Sequence, residues 1–151
     1  MYKRQIPDTA LLHGTIRTLS PARRQQVLDA VQRVRSHIAV AHGLTAEFRR
    51  IEGYPVTVND AEVAAQVAET AAVLLGPEAS ALMPVPLMGA EDFSYVLEQV
   101  PGAMAFLGAR LPELDPATAP GNHSNLVVFD ESALPAGVAM YALMAVQALA
   151  G

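Results

Sequence analysis

His123 is the residue whose type and setting are best suited to metal chemistry. It lies in the sequence GNHSN, inside a polar stretch at 108–125 that is rich in Pro, Gly, Asp and Asn. A neutral imidazole in a loop beside a strand is a common way to present a metal ligand. A loop histidine is also commonly an exposed side chain with no such role. The residue alone therefore leaves two interpretations open, a single metal ligand and an ordinary surface group.

The other three histidines do not complete a metal site. His37 and His42 are five residues apart on a predicted helix, so they do not share a face as two ligands would. His13 has no acidic neighbour and is interpreted as structural. The chain has no cysteine, which excludes disulfides and thiolate ligands. Because a metal site needs three or four protein ligands, these residues predict at most one corner of such a site.

Two acidic pairs, Glu91-Asp92 and Asp130-Glu131, each precede a predicted helix. Helix capping and favourable interaction with the helix dipole are one explanation for both pairs. A polar rim around a site where strands end is the other. Gly89, just before the first pair, would let the backbone approach a ligand closely.

Arg17 lies on the polar face of a predicted strand. Its guanidinium has the forked geometry that binds a substrate carboxylate, and simple solvation is the alternative. The chain contains no phosphate-binding glycine loop, no G-x-S-x-G nucleophile elbow and no H-E-x-x-H motif. The residues that could do chemistry are therefore few, and their placement depends on the elements that carry them.

Hydrophobic periodicity predicts an α/β organisation. Residues 10–19 alternate as a strand, a helix begins at Ser20-Pro21 and ends near Gly43, and a second strand follows at 44–51. Two strands and one helix are too few for independent stability, so this β-α-β unit is predicted to be incomplete or to pair with another chain.

The rest of the chain is predicted to contain three helices and short apolar segments. The helices are at 60–75, 91–98 and 132–150, with a short strand at 103–107. The segment 133–151 has no charged residue and is long enough to span a membrane. Its alanine-rich composition and its lack of flanking Lys or Arg favour a helix buried in a soluble core instead.

The charge distribution indicates two units. The net charge is −5, but residues 1–52 hold nine of the ten basic residues, whereas 53–151 hold eleven of the fifteen acidic ones. The change coincides with the proline-containing segment GYPVTVN, so we place a boundary there. The basic half lacks a nucleic-acid-binding motif, and no nucleic acid or membrane partner is expected. The N-terminus has no secretory-signal pattern, so a cytoplasmic location is expected.

Four stretches, in order, resemble the aminoacylase-like zinc metallopeptidases, in the branch of the hippurate and indole-acetyl-amino-acid hydrolases. They are IPDTALLHGTIRTL, GYPVTVND, MGAEDFSYVLEQVPGAMAFLGA and NHSNLVVFDESALPAGVAMYALMAVQAL. Together they extend over nearly all of residues 6–150. The resemblance implies that 6–53 is half of an α+β, ferredoxin-like lid that mediates dimerisation. It also implies that 54–151 is the C-terminal segment of an α/β catalytic domain.

The resemblance also implies a chemistry. In this family two divalent metal ions, Zn²⁺ or Mn²⁺, activate water against an amide, and a glutamate acts as general base. His123 matches the last metal ligand. The other ligands and the glutamate would lie upstream of this chain, which implies a fragment that is inactive by itself. Arg17, Gly89 and Glu91 are then candidates for binding an N-acyl amino acid.

Two hypotheses follow for the function. In the first, the chain is part of a homodimeric, metal-dependent amidohydrolase that acts on N-acyl amino acids or similar small amides. In the second, it is a non-catalytic dimerisation or binding module with no activity of its own. The number of metal ligands that the chain can supply is the feature that separates the two hypotheses.

Overall fold

The computed structural model describes residues 7–150. Within that range the chain forms four α-helices, and a 3₁₀ turn at Glu131–Ala133 leads directly into the last of them. The helices are α1 at Pro21–Ala41, α2 at Ala61–Leu75, α3 at Phe93–Leu97 and α4 at Leu134–Ala150.

Helix α1 begins and ends where its terminal residues predict. The Ser20 hydroxyl accepts a hydrogen bond from the Arg23 N–H at 3.2 Å, and Pro21 occupies the first turn, where its missing N–H costs nothing. After the last turn, Gly43 adopts φ +68°, in the left-handed region that favours glycine. The predicted start at Ser20-Pro21 and the predicted stop at Gly43 are both confirmed.

Helix α2 is bounded by the same kind of local chemistry. One carboxylate oxygen of Asp60 accepts hydrogen bonds from the N–H groups of Glu62 and Val63, both at 3.0 Å. These bonds satisfy two of the donors that every helix start leaves unpaired. Gly76, with φ +105°, ends the helix. The helix predicted at 60–75 is therefore confirmed.

The segments predicted as strands are irregular. Residues 10–19, 44–51 and 103–107 contain no strand, and the one β-type pairing in 7–150 is an isolated antiparallel bridge between Arg110 and Phe129. A strand requires a neighbouring strand to pair with its main-chain N–H and C=O groups, and no other strand pairs with these segments among the described residues. The α/β class, with its lid and catalytic portions, stays a prediction.

The described residues divide into two compact units. The first consists of 7–56 and Leu87–Glu91, and the second of Thr57–Pro86 and 92–150. The division after Val56 falls inside the GYPVTVN segment, three residues beyond the predicted end of the lid portion at residue 53. Residue 6, where that portion is predicted to begin, lies outside the described residues. The assignment of 6–53 and 54–151 to two domains of an enzyme stays a prediction.

Within the second unit, α2 packs against α4. The Thr70 hydroxyl donates a hydrogen bond to Gln147 Oε1 at 2.8 Å, and Thr70 is only 1% exposed. This bond joins the two helices, and its donor on α2 is shielded from water.

One face of α4 is apolar but exposed, although other positions along the helix are half-buried. Exposed side chains recur along it at helical spacing: Leu134, Val138, Tyr141 and Leu149. Glu131–Ala150 is the one segment of 7–150 long and apolar enough to cross a membrane, which is weak evidence when it rests on length and composition alone. The sequence favoured a helix buried in a core, whereas α4 has no buried residue in the described structure.

The bond between Thr70 and Gln147 gives a testable expectation for stability. Replacing Thr70 with the isosteric valine removes the donor but keeps the packing, so the free energy of unfolding should fall by about 1 kcal/mol. Urea denaturation followed by circular dichroism measures the change. Thr118→Val, at an exposed loop position, is the matched control and should change stability by less than about 0.5 kcal/mol. Equal stability of wild type and Thr70→Val would contradict the importance of this bond.

Candidate functional site

His123 occupies a tight turn of the second unit. The Ser124 N–H donates to the Gly121 carbonyl at 2.9 Å, which places Asn122 and His123 at the two central positions of the turn. The Ser124 hydroxyl then accepts a hydrogen bond from the Leu126 N–H at 3.1 Å, which holds the backbone just after the turn. The His123 side chain is exposed. A turn that is closed by its own main chain thus presents the imidazole to solvent.

The surroundings of this imidazole are open. Within 7–150 neither ring nitrogen of His123 makes a hydrogen bond. Nor does that part of the chain contain a group of three or more His, Asp or Glu side chains able to hold a metal ion. The described residues therefore offer one candidate ligand without the rest of a ligand set.

The segment that follows His123 is anchored at its far end. Phe129 forms the antiparallel bridge with Arg110, and the Asp130 N–H donates to the Ala109 carbonyl at 2.9 Å. The chain is therefore fixed to the segment 102–110 six residues beyond His123.

Segment 102–110 is held at its other end by Asn59. The Asn59 Nδ2 donates to the Met104 carbonyl at 2.9 Å, and the Met104 N–H donates to Asn59 Oδ1, also at 2.9 Å. The Asp60 N–H adds a third bond, to the Gly102 carbonyl at 2.9 Å. Nothing in the sequence pattern marks Asn59, because its partners lie more than 40 residues further along the chain.

The Asp130-Glu131 pair acts as a helix start. An Asp130 carboxylate oxygen accepts from the Ser132 N–H at 2.9 Å, at the beginning of the 3₁₀ turn before α4. Hydrogen bonds from the Ser132 side chain and from its main chain lower the pKa of Asp130 below the ordinary value of 3.8. Of the two explanations given for this pair, helix capping is the one that the geometry supports.

This cap makes a pH-dependent contribution to stability. A carboxyl with a lowered folded-state pKa stabilises the fold fully above its unfolded-state pKa, near 3.8, and loses that contribution as the pH falls through the folded-state pKa. The melting temperature of Asp130→Asn should therefore lie below that of wild type at pH 7, and the difference should shrink below about pH 4. Glu113→Gln, on a loop, is the matched neutralisation, and a similar pH-dependent difference for it would contradict the assignment.

The predicted substrate-binding residues belong to the first unit. Gly89 and Glu91 are close together, since a Cβ added at Gly89 would lie 3.9 Å from Glu91 Oε1, an ordinary contact distance. The described neighbours therefore leave room for a side chain at Gly89. Arg17 lies in the irregular segment before α1, and its side chain is exposed. The roles of Arg17, Gly89 and Glu91 in substrate binding stay predictions.

Comparison with known proteins shows the family to which the chain belongs. The family model described as "Peptidase family M20/M25/M40" matches residues 6–147, so the chain belongs to that family. Peptidases of this family are generally metal-dependent. The resemblance to aminoacylase-like metallopeptidases in the sequence analysis is confirmed.

Curated relatives cover almost the whole chain. It is 37% identical over 143 residues to thermostable carboxypeptidase 2 of Saccharolobus solfataricus, covering 94% of this chain and 35% of the relative. Identity is 34% over 148 residues to IAA-amino acid hydrolase ILR1-like 2 of Arabidopsis thaliana, covering 95% and 32%. It is 32% over 141 residues to N-acetylcysteine deacetylase of Bacillus subtilis, covering 93% and 34%. The chain thus spans about a third of the length of the relatives it matches.

Proposed function

We propose that the chain is the C-terminal third of a metal-dependent amidohydrolase that cleaves N-acyl amino acids or similar small amides. The observation that carries the proposal is the family match over 6–147, together with relatives named IAA-amino acid hydrolase and N-acetylcysteine deacetylase. Both names describe removal of a group from an amino acid or its derivative. The proposed substrate class is therefore the N-acyl amino acids, in which an amide bond links an acyl group to an amino acid.

His123 is the residue of this chain that we assign to the metal. The residue lies in a closed turn and its imidazole is exposed, so its ring nitrogens are accessible to a metal ion. A neutral imidazole nitrogen is a good donor to Zn²⁺, and carboxylates from elsewhere in the enzyme would suit Mn²⁺ as well. Two such ions would supply Lewis acidity toward the amide carbonyl and make water a better nucleophile at neutral pH.

The remaining roles are divided between this chain and the rest of the enzyme. The general base, a glutamate, and the other metal ligands are proposed to lie in the segment that precedes this chain. Within the chain, Arg17 is proposed to pair with the carboxylate of the substrate, while Gly89 and Glu91 line the cleft. These positions bind and orient the amide, and none of them is proposed to transfer a proton.

Residues 6–53 are proposed to be part of a lid through which a cytoplasmic homodimer forms. Helix α1 supports this proposal, because it leaves an apolar stripe partly uncovered: Val27, Val31, Val34 and Ile38 are 38%, 36%, 52% and 57% exposed. Side chains at such spacing lie on one face of a helix and favour burial against another surface. The alternative, a dimerisation or binding module without activity of its own, is proposed only for the chain in isolation, since the described residues supply no complete ligand set.

The test uses the enzyme produced from the complete reading frame that contains this chain. We expect the purified protein to be dimeric by light scattering, to contain divalent metal, and to hydrolyse at least one member of a panel of N-acyl amino acids. Chelation should remove that activity, and added Zn²⁺ or Mn²⁺ should restore it. A metal-containing protein that turns over no amide in the panel would contradict the proposed substrate class. Chelator-resistant turnover would contradict the metal-dependent mechanism.

A further inference from the structure

We propose that Asn59 is a positioning residue for the metal ligand His123, acting through the segment 102–110. The inference rests on the proposed function, since it takes His123 as a ligand. It concerns a residue with no place in the metal or substrate sites described above.

The side-chain amide of Asn59 pairs with the main chain of Met104. A carboxamide carries both a donor and an acceptor, so it can pair with the N–H and the C=O of one residue as a neighbouring strand would. Asn59 does so at 2.9 Å on each side, with Met104 half-buried. No aspartate, serine or aliphatic residue of similar size can make both bonds without a change of protonation or geometry.

Helix α2 is capped without the Asn59 side chain. Asp60 caps the first turn of α2 with its own carboxylate, through the N–H groups of Glu62 and Val63. The amide of Asn59 is directed instead to a segment more than 40 residues away in the sequence. Its contribution is therefore to place segment 102–110 against the start of α2.

Segment 102–110 is in turn bonded to the chain that follows the His123 turn. Ala109 accepts from the Asp130 N–H, and Arg110 pairs with Phe129, so the chain is fixed to segment 102–110 six residues beyond His123. Leu107 of the same segment lies close to α4, because a Cβ added at Gly137 would be 3.1 Å from its Cδ2 atom. Segment 102–110 thus sets where the His123 loop ends and where α4 begins.

A ligand on a loop binds well only if the loop holds it in place before the metal arrives. Supporting hydrogen bonds outside the ligand set commonly contribute about 10- to 100-fold to metal affinity or activity. Asn59 holds one end of segment 102–110, and the other end of that segment is bonded to the chain that follows the His123 turn. Loss of its amide should therefore allow the His123 imidazole a wider range of positions and weaken metal binding.

The experiment compares Asn59→Asp and Asn59→Ala with wild type in the enzyme from the complete reading frame. Asn59→Asp keeps the acceptor but loses the donor, and Asn59→Ala loses both. For the folded protein, we expect the metal dissociation constant to rise by about tenfold, toward the lower end of the effects of supporting residues, and to rise further in Asn59→Ala. At limiting metal concentration, the kcat of the variants should be lower than that of wild type. At saturating metal it should return to the wild-type value, and the KM for substrate should be the same throughout.

Gln66→Glu is the matched control, because it makes the same amide-to-carboxylate change at an exposed position on α2. It should leave the metal dissociation constant and kcat unchanged. A merely structural role for Asn59 predicts a lower melting temperature with unchanged metal affinity in the folded protein, and that result would overturn the inference. The same outcome for Asn59→Asp and Gln66→Glu would overturn it as well.

His123→Ala separates failure of this inference from failure of the proposed function. If His123→Ala loses metal but Asn59→Asp binds it as wild type does, the positioning role is wrong and the ligand assignment stands. If His123→Ala keeps full metal content and turnover, the ligand assignment itself is wrong, and the positioning role falls with it.

Discussion

Replacement of His123 by alanine in the complete enzyme is expected to abolish amide hydrolysis and to lower the metal content. Alanine has no donor atom, so the metal loses one of the three or four ligands that a protein site supplies. The loss of turnover should exceed the roughly 100-fold upper range seen for residues that only support a ligand. Turnover of an N-acyl amino acid and metal analysis of the purified protein measure the two effects.

The structure also predicts that this variant folds. His123 is exposed at the centre of a turn whose hydrogen bonds are made by the main chain and by Ser124, so its side chain holds nothing else in place. The circular dichroism spectrum and the melting temperature should match those of wild type. His13→Ala, at an exposed position of the first unit, is the matched control and should keep full activity. A His123→Ala enzyme with wild-type turnover and metal content would remove His123 from the site.

The isolated 151-residue chain is expected to show no turnover of N-acyl amino acids above the uncatalysed rate. Its described residues contain no group of three or more side chains able to hold a metal ion, and the proposed general base lies outside the chain. The measurement is a long incubation of the purified chain with substrate and either Zn²⁺ or Mn²⁺. The enzyme from the complete reading frame, at equal concentration, is the positive control.

Contamination is the main difficulty of such a measurement, and His123→Ala in the isolated chain resolves it. Residual turnover that persists in this variant comes from another protein. Chelator-sensitive turnover that disappears with His123→Ala would show that the chain is active by itself. That result would contradict the division of the catalytic groups proposed above.

The helix boundaries were predictable because each depends on residues adjacent in sequence. Ser20 and Pro21 determine the start of α1, and Asp60 determines the start of α2, through bonds to groups two or three positions away. Gly43 and Gly76 end the two helices by adopting positive φ angles that other residues avoid. Such interactions are the same whatever the rest of the chain does.

The predicted strands depend on partners that the sequence pattern cannot specify. Residues 10–19 and 44–51 have the composition of strands, but alternation does not say which segment supplies the main-chain hydrogen bonds. In the described structure, the contacts of 44–51 include the Phe48 ring, which has the Arg35 guanidinium 5.7 Å from its centroid. A side-chain contact of this kind orders a segment without making it a strand.

The candidate site was predictable only in part, for the same reason. His123 could be singled out because its type and its polar loop are visible locally, and the family resemblance supplied its role. Asn59 could not be singled out, because Met104, with which its side chain pairs, lies 45 residues away. An amide just before a helix cap, not needed by that helix, is the one sequence signal that would have pointed to it.

The bond between Thr70 and Gln147 has a consequence for folding during synthesis. The two residues are 77 positions apart, so α2 emerges well before the helix against which it packs. At about 5–20 residues per second, the ribosome needs roughly 4 to 15 s to make the intervening chain. Throughout that interval the α4-facing side of α2 has no partner from its own unit. Nascent chains arrested between residues 75 and 134 should therefore be bound by chaperones more strongly than chains that already display α4.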